Sequence, residues 1–167
     1  AVNSGNSGGG LYNDKGELIG IVNAKMSSST VDNIGYAIPS NIAKYITENI
    51  LYYCDNTDKE SVYRCMIGIT LSAKESYTEY DTESGKVYKR ETVEVSEATS
   101  TATDLQKSDV IRSITIDGKD YAVTRLYHVI DSMLNARVGS TVVFHITRAG
   151  TDMDVTVNIT ESMLTKY

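Results

Sequence analysis

The chain has 167 residues, 41% hydrophobic and 23% charged, which is apolar material for one ordinary domain or two small ones. Its net charge of −6 argues against a nucleic-acid partner. No apolar run is long enough to span a bilayer, and no signal-peptide pattern occurs within it.

The first feature along the chain is Gly5-Asn6-Ser7-Gly8-Gly9, a serine set among glycines. Glycine accepts positive φ and lets a ligand approach the main chain. A serine held in such a turn can aim its own N–H and that of Gly5 at one point, as an oxyanion requires in acyl transfer. A phosphate-cradling loop is the rival reading, but no Gly-Lys-Ser/Thr follows. A plain hairpin turn stays open. Leu11-Tyr12 then leads into the turn signal Asn13-Asp14-Lys15-Gly16 and the apolar run 17–22, which together predict a hairpin. Lys25 to Asp32 is polar and Ser/Thr-rich and reads as a loop. Residues 33–39 read as another strand, stopped by Pro39, the only proline. Ser40 is a good N-cap, and Ile42, Ala43, Tyr45, Ile46, Ile50 and Leu51 recur at helical spacing, which predicts an amphipathic helix over 41–52.

Gly5-Asn6-Ser7-Gly8-Gly9 resembles the nucleophile turn of trypsin-like serine proteases. Extended to 3–11, it is similar to the HtrA (Deg) branch of that family. Gly35-Tyr36-Ala37-Ile38-Pro39-Ser40-Asn41 carries the resemblance as strongly, and it covers 1–52 almost without gaps. The family often has proline where Ser4 and Gly10 stand; neither position supplies a reacting group. The resemblance implies that 1–52 is the C-terminal part of a trypsin-like β-barrel, with Ser7 as nucleophile and Gly5, Asn6 and Ser7 as the oxyanion loop. It places the base of the specificity pocket at Ala1 and its walls at Val22, Asn23, Ala24, Gly35 and Tyr36. No Asp stands at that base to pair with Lys or Arg, so cleavage after small or aliphatic residues is expected. A serine nucleophile needs a histidine base oriented by a carboxylate. Neither residue type occurs before Ser7. His128 and His145 read as surface or groove histidines, so the chain alone is expected to lack peptidase activity.

Residues 53–62 are polar and charged and read as a linker. They include Cys54, and Cys65 follows closely. Two cysteines are too few for a disulfide framework, and with only two histidines at unsuitable spacing no zinc site is expected. One Cys54–Cys65 bridge and two free thiols remain equally open.

Beyond the linker, 66–71 reads as a strand with Gly68 near its start. Residues 75–94 form a hairpin around Glu83-Ser84-Gly85-Lys86 with an exposed, mostly acidic face. Asp117-Gly118 is a tight turn. Residues 124–137 read as a helix with Leu126, Val129, Ile130, Met133 and Leu134 on one side. Thr141 to Ile146 and Met153 to Val157 form a last hairpin around 148–151. The marks Ile67-Gly68-Ile69, Leu105-Gln106-Lys107-Ser108-Asp109-Val110-Ile111 and Ile116-Asp117-Gly118, a helix, then Gly139 to Gly150, resemble a PDZ domain of the HtrA type over 63–160. Ser108 stands where that pattern has glycine, and residues 161–167 are left as a tail. Another small β-rich domain with one helix is the alternative.

The resemblance implies a fold that is mainly β with a few helices: a trypsin-like barrel portion plus an HtrA-type PDZ domain. It also implies a peptide groove. Met66, Ile67, Gly68 and Ile69 would form a carboxylate loop, with Leu71 on the strand beside the peptide. Leu126, Ile130 and Met133 would form the opposite wall, and an apolar C-terminal ligand residue is expected. A helix face that only packs the core, closing the groove, stays open as well. The partners implied are unfolded or C-terminal peptide segments, with no nucleic acid and no metal or organic cofactor. The parent enzyme is expected to be trimeric and extracytoplasmic, with the membrane tether that its family often has, and to act in quality control of exported proteins. The truncated barrel portion is expected to self-associate. Two other functions compete: a non-enzymatic peptide-binding module, and a structural or adhesive β-protein using its tyrosines as a contact surface.

Overall fold

The computed structural model describes residues 5–28, 31–55, 61–100 and 102–166, with backbone alone at 24–28 and 31–34. It is mainly strands with two helices, all strand pairs being antiparallel. The chain divides into two compact units, Ala1–Thr57 and Asp58–Tyr167.

The first unit is a three-stranded sheet of β1 (Gly10–Tyr12), β2 (Leu18–Ser28) and β3 (Val31–Pro39), in that order, followed by helix α1 (Ser40–Asp55). The Asn13 side chain builds the β1–β2 turn, its Oδ1 accepting from the amides of Lys15 (3.0 Å) and Glu17 (2.9 Å). Of the loop expected at Lys25–Asp32, the described residues 25–28 and 31–32 are strand instead, Lys25 pairing with Gly35, Met26 with Ile34 and Ser28 with Val31, while 29–30 lie outside the described residues. Serine, threonine and valine suit a pleated ribbon as well as a loop, and polarity alone does not separate the two. The helix runs to Asp55, three residues into the segment read as linker. Val22 of β2 and Tyr53 of α1 are the buried apolar side chains of this unit among the described residues, while Leu11, Leu18, Ile19, Ile50 and Leu51 stay exposed.

The second unit has its own core. Its sheet runs β10 (Thr151–Asn158), β9 (Thr141–Arg148), β7 (Val110–Ile116), β6 (Lys86–Ala98), β5 (Ile69–Asp81), with β8 (Lys119–Ala122) also on β7. Helix α2 (Leu126–Met133) is shorter than the expected 124–137. Period-2 alternation sends Val142, Phe144 and Ile146 of β9 inward, each fully buried. On β7 the buried pair Ile111 and Ile114 are three apart, an odd spacing that would place them on opposite faces. A bulge solves this: Ile111 pairs with Ile146 and Ser113 with His145, so Arg112 is the extra residue.

Residues 161–167, read as a tail, are structured through Lys166. Glu161–Met163 form a 3-10 turn, and β11 (Leu164–Lys166) pairs with β4 (Tyr63–Cys65). Both thiols, exposed Cys54 and buried Cys65, are free.

Candidate functional site

In the first unit, Gly5 (φ 96°) and Gly8 (φ 86°) take the left-handed backbone on either side of Ser7. Side chains there would be strained, so the glycines shape the turn. The Gly9 amide closes it on the Asn6 carbonyl (2.9 Å). The turn is seated on β2 by two bonds, Gly8 N–H to Val22 O (2.8 Å) and Val22 N–H to Gly9 O (2.9 Å). Ser7 is thereby exposed, with its hydroxyl donating to the Asn23 carbonyl at 3.2 Å. Of the pocket residues named from the sequence, Val22 is buried, and Asn23, Gly35 and Tyr36 are exposed near it on the paired strands β2 and β3. Ala24 is described in its backbone only, and Ala1 lies outside the described residues. A Cβ at Gly10 would lie 2.7 Å from the Tyr12 ring, but that ring is exposed and can swing aside, so the position does not itself demand glycine.

The histidines are occupied within the second unit. His145 Nδ1 meets Asp154 Oδ1 at 2.7 Å and its Nε2 meets Thr115 Oγ1 at 2.8 Å. His128 Nδ1 accepts from the Thr124 amide at 3.3 Å, and burial, then the Arg125 charge, push this imidazole below its ordinary pKa.

The second unit also holds a cavity of about 360 Å3 between α2 and the start of β5. Met66, Ile67, Gly68, Ile69 and Leu71 line one side, and Leu126, Ile130 and Met133 the other, so all eight residues named for a groove line one cavity. The expected strand over 66–71 is broken at Met66–Gly68. Gly68 has φ 71°, and its carbonyl accepts from the Thr99 amide (2.9 Å) and hydroxyl (3.1 Å). On α2, Val129 is buried in the core while Ile130 is 55% exposed, so the helix packs and still presents an apolar face. Arg64, Cys65, Thr70 and Val129 line the cavity too and were not named as site residues. Val129 was within reach, being one helical turn on from Leu126 and next to Ile130. Arg64 and Cys65 lie on β4, whose pairing with β11 has no local signal. Burial, opposed by the Arg137 charge, raises the Cys65 thiol above its ordinary pKa, so it acts as an apolar surface.

Elsewhere in this unit, the loop before β7 is fixed by an ion pair whose Asp109 is buried. Arg148 donates to Asp109 Oδ1 and Oδ2, both at 2.7 Å, and to the Asp104 carbonyl at 2.8 Å. Burial alone would raise the Asp109 carboxyl. The Arg148 hydrogen bonds, the Gln106 amide and the Arg148 charge outweigh it and hold the group below the usual carboxylate range.

The family model described as Trypsin matches residues 1–47. The Serine protease Do-like HtrA of Bacillus subtilis (strain 168) is 33% identical over 164 residues, covering 92% of this chain and 34% of its own length. The chain is a relative of the HtrA-type, trypsin-like serine proteases. A second HtrA-type relative is the Probable periplasmic serine endoprotease DegP-like of Chlamydia trachomatis serovar D, 30% identical over 96% of this chain and 31% of its own length. Among solved structures, the HtrA-type protease AlgW with decapeptide is 25% identical with a TM-score of 0.57, over 99% of this chain and 48% of that one. The HtrA-type likeness thus runs through both units, and the chain spans about a third of the length of these curated relatives.

Proposed function

We propose that this chain supplies an HtrA-type serine endopeptidase with its nucleophile, Ser7, and that its second unit is a PDZ-type module for peptide C-termini. The observation carrying the first half is the Ser7 turn: an exposed hydroxyl on a loop that two left-handed glycines shape and β2 supports. In the reaction, Ser7 Oγ attacks the scissile carbonyl, and the oxyanion is received by amides of the Gly5–Ser7 loop. The base that takes the Ser7 proton comes from outside this chain, since His128 and His145 are engaged in the second unit. The chain alone therefore turns over no casein; turnover by it that Ser7→Ala abolishes would overturn this.

For the second half, the supporting observation is the cavity. Its volume of about 360 Å3 lies in the range of ligand pockets, and its lining is mostly apolar and includes the left-handed Gly68. A peptide would add as a strand beside β5, its carboxylate received by amides of the Met66–Ile69 loop and its apolar last side chain held between the loop and α2. The PDZ module spans 63–160, and the parent acts outside the cytoplasm on unfolded exported proteins as a homo-oligomer. Titration calorimetry with a peptide ending in Val or Phe tests the groove. The free acid binds and its C-terminal amide binds far less; equal binding refutes the carboxylate loop. A second reading, a purely non-enzymatic peptide-binding module, draws on the same cavity and on both histidines being hydrogen-bonded within the second unit.

A further inference from the structure

The two walls of the groove are joined by one side chain that lines neither of them. Helix α2 opens without a cap of its own: Arg125 at the N-cap makes no side-chain capping bond, and the first turn carries no acidic residue. The first N–H groups of any helix lack intrahelical partners. Here the Leu126 amide donates to Glu91 Oε2 on β6, at 3.0 Å and 35 residues away in sequence. The Glu91 amide donates in turn to the Thr124 carbonyl at 2.9 Å. Glu91 Oε1 lies 3.1 Å from Lys89 Nζ and 3.4 Å from Arg125 Nε. The Glu91 side chain is only 11% accessible, and its carboxylate faces the positive end of the helix dipole. The Leu126 amide first, then Lys89, hold the carboxyl below its ordinary pKa, so it is ionised at neutral pH.

Glu91 pairs with Ser76 of β5, and the same β5 supplies Ile69, Thr70 and Leu71 to the cavity. Leu126, the residue whose amide Glu91 holds, lines the opposite wall. A strut from β6 to the first residue of α2 therefore fixes the helical wall against the strand wall.

We propose that Glu91 is the positioning residue that sets the gap between α2 and β5, and with it the affinity of the groove for a peptide. The proposal rests on the peptide-binding reading above and deepens it. Glu91 touches no ligand and acts through Leu126.

The test uses the whole chain, a peptide ending in Val as free acid, and the variants Glu91→Ala and Glu91→Gln. Calorimetry gives affinity, and hydrogen exchange gives local protection at the Leu126 amide and global protection along β9. Glu91→Ala weakens binding about tenfold, and Glu91→Gln, which keeps an acceptor but not the charge, about threefold. In both, the Leu126 amide exchanges faster while β9 keeps its protection. Unchanged affinity in Glu91→Ala overturns the proposal. So does a loss of affinity matched by an equal loss of β9 protection, since that marks general destabilisation. If the unsubstituted chain binds neither acid nor amide, the peptide-binding reading falls and takes this one with it. If it binds the acid and Glu91→Ala binds it equally well, this proposal falls alone.

Discussion

Gly68→Ala is the substitution that most directly probes how the cavity is built. Gly68 has φ 71°, where an L side chain is strained by about 1–2 kcal/mol. A Cβ there would also lie 2.4 Å from Ser100 Cβ, 3.2 Å from Ser100 N and 3.3 Å from Ser100 Cα. Neither side can simply move away. Thr99, next to Ser100, donates from amide and hydroxyl to the Gly68 carbonyl, so relief of the clash strains or breaks those bonds. Overpacking of this kind costs about 1–3 kcal/mol, which makes the expected total roughly 2–5 kcal/mol. The steric part is separable. Adding Ser100→Gly removes the Cβ–Cβ contact, so the double variant should recover about half the loss, with Ser100→Gly alone as reference. Urea titration with hydrogen exchange along β9 as reporter gives the stability of the second unit by itself. The same loss should weaken binding of a free-acid peptide more than of its amide. A Gly68→Ala chain within about 0.5 kcal/mol of the parent, the size of an ordinary surface change, would refute the reasoning. So would a double variant no more stable than Gly68→Ala.

Asp109→Asn should cost the second unit about 3 kcal/mol, the low end for breaking a buried pair because Arg148 is 25% exposed and can rehydrate in part. The folded pKa of Asp109 is depressed, so its contribution is present above the unfolded carboxylate range and lost as pH falls through the folded value. Urea midpoints for parent and variant should therefore converge in acid. Ser108→Gly should stabilise by about 0.5–1 kcal/mol, because Ser108 is exposed and holds φ 73°; a lower melting temperature would contradict this. Mass spectrometry of products from the full-length parent enzyme should show cleavage after Val, Ala, Ile or Leu, and dominant cleavage after Lys or Arg would refute the pocket assignment.

What could be read from the sequence was local. Asp117-Gly118 and Ala149-Gly150 take positive φ at both central positions, and the strands on either side pair as the turns demand. The alternation of Val142, Phe144 and Ile146 gives the inner face of β9 directly. The serine turn was legible for the same reason: its glycines lie within one residue of Ser7 or two. Non-local features were not. The pairing of β4 with β11 joins residues about a hundred apart, and nothing in either triplet announces the other. The bulge at Arg112 hides β7's alternation, and the Glu91 strut joins β6 to a helix start that bears no capping residue. At 25–28 and 31–32 the error was one of weighting: strand and loop share the same polar alphabet.

The two units differ in how much they carry within themselves. Among the described residues, the buried apolar cluster of the second unit runs from Cys65 to Met163, whereas the first unit has Val22 and Tyr53 as its buried apolar side chains. A segment with a self-contained core can be duplicated, moved next to other sequences or lost, and still fold wherever it lands. The serine turn has no such portability. It sits in a unit whose Leu11, Leu18, Ile19 and Leu51 lie exposed, so the same transfer would carry open apolar surface with it.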